Sequence, residues 1–363
     1  MLENALKQIL TTTRESWDCA ETRPAVRKSF QKIIDCRTLA LGAELYASAH
    51  EQKIVHHTCK SRSCPSCGHR ATQLWQREQW AALPDIPYTG VVFTMPSSLW
   101  PIFQRNRHLL RDLPALGAAV IQEWVLAKYN AQVLIVVVPH TFGRRLNFNA
   151  HLHILVSAVG LSELSLKVAL RFDQRALMHM WRYAVVRYLR DAARNGVLRS
   201  DLAPEQLKGL LKTQYERWWN IDIARFQSKG HFLRYAARYV RRPPIAQHRF
   251  ISITEREVEF SAKDLKEKRV VKIRESVEDF VRRLAEHVPD HYRHAIRYYG
   301  LLAPRSQRKI NMLFLLLGQQ RRARPPRLGW ADSIWKSFGV NPLVDQQGEQ
   351  MRWSGRLRPQ VVH

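Results

Sequence analysis

Three groups of residues in this chain have types and spacings that suit chemistry. The first is Cys59-x4-Cys64-x2-Cys67, in the stretch HHTCKSRSCPSCGHR at 56–70. Pro65 lies inside the second cysteine pair and Gly68 follows it, so a tight turn can aim two thiolates at one point. Zinc takes four such ligands in a tetrahedron, so a fourth must come from elsewhere. Cys36 is the first candidate, followed by His50, His56, His57 and His69. A closed site of this kind is structural, and Lys60, Arg62 and Arg70 around it could touch phosphates. The second group is His151 and His153 in NFNAHLHILV, two imidazoles one residue apart in an apolar run. On a strand they face one way and Leu152, Ile154 and Val156 face the other, which lets both imidazoles share one metal ion. The third group is Tyr235 and Tyr239, four apart and one helical turn from each other, among Arg234, Arg238, Arg241 and Arg242. Taken singly, each group has a plain alternative: reduced buried thiols, a polar sheet face, and packed tyrosines beside solvated arginines.

These groups need elements to hold them. GVVFTMP (90–96) reads as a strand that Pro96 stops, and AQVLIVVVP (131–139) as a buried strand. HTFGRRLNFN (140–149) reads as a basic connection and AHLHILVSAVG (150–160) as the next strand, making an antiparallel hairpin. A turn centred near residue 145 sets His140 opposite His151, so that a third imidazole joins the pair; a one-residue slip would turn it away. SKGHFLRYAARYVRRPPIAQHR (228–249) reads as a helix over about 230–242, ended by Pro243 and Pro244. Helices are also expected over 71–83, 101–129, within 164–196, over 203–219, and from a Ser276 cap over 276–288. WNIDIARF (219–226) reads as a strand, FISITEREVEFSAKD (250–264) as a hairpin, and QRRARPPR (320–327) as an extended basic linker. The fold class expected is α+β, an antiparallel or mixed sheet flanked by helices, with a zinc module in front and basic helical additions behind. The chain divides on this reading into a zinc-binding domain (1–83), a central domain that carries the histidines and tyrosines (84–264) with a helical insertion at about 161–217, and a basic C-terminal region (265–363).

Composition narrows the partner. The 363 residues carry 58 Lys and Arg against 31 Asp and Glu, a formal net charge of +27. Basic residues mixed with many aromatic ones suit a nucleic acid; a merely basic protein or one that binds acidic lipid are the alternatives. Five cysteines, an odd number, argue against a disulfide scaffold and for a reducing cytoplasm. No apolar run is long enough for a bilayer, and neither a signal peptide nor a membrane anchor is expected. No Walker-type loop or GxGxxG is present, so no nucleotide cofactor is expected, and no helicase segment is read after the central domain.

The order of these features resembles one family, the two-tyrosine, rolling-circle insertion-sequence transposases of the HUH endonuclease superfamily. CRTLALG (36–42), CKSRSCPSCG (59–68), GVVFTMP, HTFG (140–143), RRPPIA (241–246) and RHAIRYYGLLAP (293–304) match as well, so the resemblance runs through most of the chain. It implies that His151 and His153 are the pair that binds a catalytic Mg2+ or Mn2+, with His140 as the third ligand on the hairpin reading. Tyr235 and Tyr239 are then the two nucleophiles, and Cys59, Cys64 and Cys67 belong to the zinc region. The family often has extra cysteines before this knuckle. Here Ser48, His50 and Glu51 stand in that interval, which argues against a second zinc and admits His50 in place of a thiolate. The activity implied is cleavage and rejoining of single-stranded DNA at the ends of a mobile element, through a 5′-phosphotyrosine. Arg144, Arg145, Arg234, Arg238 and Arg241 are expected to line the strand's channel. A plasmid or phage replication initiator, or a zinc-containing DNA-binding protein without catalysis, are the competing readings.

Overall fold

The computed structural model describes residues 4–264, 267–290 and 294–360. Arg293, the first residue of RHAIRYYGLLAP, and Lys266 of the basic stretch 266–274 lie outside them. The chain opens with α1 (Ala5–Thr12), α2 (Arg14–Trp17) and α3 (Pro24–Ile34). The hairpin β1 (Ala43–Ala47) and β2 (Gln52–His56) leads through the cysteine turn into α4 (Gly68–Ala82). Next come β3 (Tyr88–Phe93), α5 (Trp100–Arg105) and α6 (Leu113–Tyr129). The expected single helix over 101–129 is thus broken. Asn106, fully buried, turns its side-chain amide to the carbonyls of Ile102 and Arg199, and Pro114 starts a new helix beyond.

The hairpin that carries the histidines is β4 (Leu134–Phe142) and β5 (Phe148–Ser157). Its strands reach further than the sequence suggests. His140 through Phe142 belong to β4, and the connection shrinks to 143–147. After the small hairpin β6 (Gly160–Ser162) and β7 (Ser165–Lys167) come α7 (Gln174–Arg194), α8 (Pro204–Thr213) and β8 (Ile221–Phe226). The tyrosine helix α9 spans Lys229–Val240, with the Ser228 hydroxyl accepting from the His231 N–H as its cap. The remaining elements are β9 (Phe250–Ile253), β10 (Glu257–Lys263), β11 (Val270–Ser276), α10 (Val277–His287), β12 (Arg297–Gly300), α11 (Gln307–Leu316), α12 (Trp330–Phe338) and β13 (Arg352–Leu357). Ser276 caps α10 by accepting from the Asp279 N–H. Residues 270–274 of the basic stretch thus belong to β11, a third strand on the 250–264 hairpin.

The central sheet has the order β12-β4-β5-β3-β8, and every pairing in it is antiparallel. Its two faces follow from side-chain alternation. Val91, Phe93, Ile135, Val137, Leu152, Ile154 and Val156 pack against α6 and α7. Leu134, Val136, Val138 and Leu155 face the opposite layer of α4 and α9, with Trp75, Phe232, Leu233 and Ala236. A second core joins α1 and α3, the cysteines, the three strands β9–β11 and α10. The segment after residue 265 does not pack as a separate body. β12 is an edge strand of the central sheet, and β13 pairs with β1 beside the cysteine turn.

Candidate active site

The hairpin register decides the site. His140 pairs with His151 across β4 and β5, and Val138 pairs with His153. All three imidazoles therefore point to the α9 side of the sheet, and their candidate ligand nitrogens lie within 4.8 Å of one another. His151 donates from Nδ1 to the Asn149 carbonyl at 2.8 Å, which leaves Nε2 with its lone pair. That Nε2 is 3.2 Å from Nε2 of His153. His140 donates from Nε2 to the Tyr239 carbonyl at 2.8 Å, so it offers Nδ1. Nδ1 of His153 is buried without a partner among the described residues. Burial first, and then the charges of neighbouring histidines and of Arg62, hold the His140 and His153 pKa values well below 6.5, with Arg242 acting on His153 as well. His151 is lowered too, again chiefly by burial. Neutral imidazoles crowded this closely, with an orphaned nitrogen, fit a shared cation.

The tyrosines lie on the face of α9 that meets this trio. Tyr239 stacks on His153 with ring centroids 3.9 Å apart, and Tyr235 is 5.0 Å from Tyr239. Tyr235 also lies 4.8 Å from Phe226 of β8. Gly90 on β3 makes room for it: a Cβ there would stand 2.9 Å from the Tyr235 ring. The helix thus crosses the sheet from β8 and β3 toward β4, and its rings form a row that ends at the histidines. Burial, then the neighbouring Tyr239 and Asp222, raises the Tyr235 pKa above its ordinary 10, and Arg238 opposes this. The Arg238 guanidinium sits 5.0 Å over the Tyr235 ring.

Cys36, Cys59, Cys64 and Cys67 come together at the N-terminal end of α4. Cys67 Sγ is 3.7 Å from both Cys36 and Cys59, and Cys64 Sγ is 3.9 Å from Cys36. A tetrahedron of zinc–sulfur bonds has edges of about 3.8 Å. Hydrogen bonding within the cluster, led by Cys59, draws the Cys36 pKa down to about 7. The Cys67 pKa falls as well, chiefly through Cys36, while those of Cys59 and Cys64 rise. The Cys59 N–H also donates to Cys36 Sγ. The donor set fits zinc. His50 stands apart in the β1–β2 turn, more than half exposed, with Nε2 3.7 Å from Glu349. It does not join the cluster, whose four corners the thiols already fill. His57 donates from Nδ1 to the Leu41 carbonyl and sets Nε2 3.1 Å from Glu44, and His69 meets the Ser337 carbonyl.

Of the expected channel arginines, Arg234 and Arg238 are exposed on α9 and Arg144 and Arg145 sit in the β4–β5 turn. Arg145 is tied to Asp264. Arg241 is half-buried with its Nε unpartnered among the described residues. Two further arginines approach the site more closely than the sequence suggests. Arg62, from the cysteine turn, donates to the Pro139 carbonyl at 3.2 Å, and its charge bears on His140 and His153. Arg242 bears on His151 and His153. No local signal marks Arg62 as inward-facing, because its position depends on how the knuckle docks on β4. Close packing fixes that docking: a Cβ at Gly68 would stand 2.9 Å from the Arg241 carbonyl.

Comparison with known proteins agrees with these features. Residues 135–309 match a family described as "Putative transposase", and residues 5–95 match one described as "Transposase zinc-binding domain". The chain is 32% identical over 285 residues to the transposase for insertion sequence element IS801 of Pseudomonas savastanoi pv. phaseolicola, across 76% of this chain and 69% of that protein. It is 28% identical over 315 residues to the "Putative transposase y4qJ" of Sinorhizobium fredii, across 81% of this chain and 79% of that protein. No solved structure matches the chain. Among the described residues, no helix is long and apolar enough to cross a membrane.

Proposed function

This chain belongs to the insertion-sequence transposase family that includes the IS801 protein, with that family's zinc-binding domain, and from this premise we propose that it cuts and rejoins single-stranded DNA through tyrosine nucleophiles. The observation that carries the reading is the row Tyr235, Tyr239, His153, His140, with His151 beside it, two phenols leading to three neutral imidazoles. In the reaction a tyrosine oxygen attacks a backbone phosphorus and forms a P–O bond. The bond from phosphorus to the 3′-oxygen breaks, and its electron pair stays on that oxygen. The phenol gives up a proton and the 3′-oxygen takes one, so the exchange is proton-neutral. The product is a 5′-phosphotyrosine and a free 3′-OH, and the phosphodiester energy is kept for rejoining.

His140, His151 and His153 would hold the divalent ion. Bound there, Mn2+ or Mg2+ supplies Lewis-acid polarisation of a non-bridging phosphate oxygen. An all-imidazole set suits a borderline divalent ion better than the hard Mg2+. The chain's own groups do the rest. Burial keeps Tyr235 protonated until it is used, and Arg238 over its ring favours the phenolate as attack proceeds. The His140–Tyr239 backbone hydrogen bond fixes the helix against the metal ligands. Two tyrosines one turn apart allow one to cut and the other to resolve the second exchange, as a rolling-circle mechanism requires. Arg144, Arg234, Arg238 and Arg241 are available to the strand's phosphates, and Arg145 becomes so if it leaves Asp264. The zinc of the four cysteines is structural.

The test is covalent capture. A 3′-labelled pool of random single strands is mixed with the protein and Mn2+, then denatured. Label should stay on the wild-type protein, fall in each of Tyr235→Phe and Tyr239→Phe, and vanish in the double variant. Equal label on the double variant would defeat the nucleophile assignment. His151→Ala should lose metal-dependent capture and keep strand binding.

A further inference from the structure

Beside the histidine trio, on the side away from the tyrosines, a narrow cleft opens past β4. It holds about 80 Å³ and is lined by His140, Arg62, Arg242 and Arg297 among others. Arg62, Ser63, Pro289, Asp290 and His294 border both this cleft and a wider trough of about 650 Å³. The trough runs along α3 and the cysteine turn and carries Lys28, Lys32 and Lys60. All three lysines are exposed, and no ion pair to any of them occurs among the described residues. Lys28 and Lys32 stand four apart on α3, a like-charge arrangement that costs helix stability. Asp290, the one carboxylate on the wall among the described residues, is engaged by Arg23 and Arg107. Trough and cleft together therefore make a basic path that begins at the zinc module and ends at His140.

Direction follows from the order of the sheet. Tyr235 lies over β3 and β8, His153 on β5, His140 on β4, and the cleft beyond β4. Displacement at phosphorus runs in line, so the leaving oxygen departs on the side opposite the attacking one. An attack from the tyrosine side sends the leaving 3′-oxygen toward the cleft. We propose that the trough holds the DNA segment that ends in the 3′-OH after cleavage, by phosphate contacts from Lys28, Lys32, Lys60 and Arg62. This rests on the tyrosine reading given above. It also gives the zinc module a task in the reaction. The other product is kept by its covalent bond to tyrosine, whereas the 3′-OH segment has no bond to the protein and would diffuse away unless it were held.

The experiment uses the full chain and its Lys28→Gln/Lys32→Gln/Lys60→Gln variant, checked for unchanged zinc content. Binding of a random single-stranded pool is measured against salt. Losing three phosphate contacts should make the slope of log K against log salt shallower by about 2. An unchanged slope would overturn the trough as a strand site, and the same lysine dependence with duplex DNA would overturn its single-strand assignment. In a second arm the pool carries a 5′ label. After cleavage under native conditions, wild type should retain the 5′-labelled fragment, and the variant should retain at least tenfold less of it per covalent adduct formed. Equal retention per adduct would overturn the assigned direction. Absence of adduct from wild type would instead sink the tyrosine chemistry, and the salt slope would still decide the trough.

Discussion

Tyr235 can reach the histidine row because Gly90 presents no side chain beneath it. A methyl group there would meet the ring edge at 2.9 Å, and the β3 backbone that carries it is paired on both sides and cannot yield. Gly90→Ala should therefore displace the tyrosine by a fraction of an ångström, slowing adduct formation by roughly 10–100-fold while thermal stability changes little. A capture time course alongside a melting curve checks this; equal rates would show that Tyr235 is not the limiting nucleophile. His287 answers to pH. It is buried between the Leu146 carbonyl, to which it donates, and Phe142 and Phe148, and burial lowers its pKa to about 4. Its neutral form is the folded one, so its contribution is intact above pH 6.5. It is lost as pH falls from 6.5 toward 4, where the unfolded chain takes up the proton first. The loss is about 3 kcal/mol at most. His287→Gln should flatten the stability curve over that window relative to wild type, as denaturant titrations at several pH values would show. The site histidines act in the same direction in metal-free protein, which is why the difference between variants is the quantity to read.

At the scale of elements, α9 is fixed at both ends. Its C-terminal turn is held by the His140 hydrogen bond to the Tyr239 carbonyl. Its first residue, Lys229, is 2% exposed and reaches back to the carbonyls of Trp80 and Leu83 and to Asp85 at 2.8 Å. A cation at a helix N-terminus opposes the helix dipole, so its three acceptors and not the helix account for its place. Lys229→Met would leave those carbonyls without it and cost about 2 kcal/mol. Adduct formation should fall at least tenfold, more than the loss of stability alone explains, because the tyrosines lose their fixed distance to the histidines. Helix α9, the hairpin and the cluster of cysteines are legible in the chain because each rests on local rules: period, capping and ligand spacing. The His140–His151 register follows from a turn at 143–147, although strand β4 runs on through His140, Thr141 and Phe142, a polar and aromatic stretch that reads as connection. The break at Asn106 depends on a carbonyl 93 residues away, and the inward turn of Arg62 on a carbonyl 77 residues away. No window of neighbouring residues contains either fact.

The whole molecule ties its zinc module to the sheet that carries the histidines. Cys36, Cys59, Cys64 and Cys67 share a core with β9–β11 and α10, and Arg62 and Gly68 press on β4 and the end of α9. Loss of zinc should be felt at the tyrosines. Cys59→Ser should lower zinc content, lower the melting temperature by roughly 5 °C or more, and reduce capture. His50→Ala should retain full zinc content, measured by metal analysis; loss of zinc there would restore the histidine as a ligand. The net charge of +27 makes all strand binding steeply salt-dependent, so such variants need comparison at one ionic strength. The pairing of β1 with β13 sets a schedule for the ribosome. Tyr46 meets Trp353, about 300 residues later in the chain. At the usual pace of synthesis, β1 waits roughly 15–60 s for that partner, with one edge open to any other strand. A strand made late therefore closes a sheet begun about 300 residues earlier.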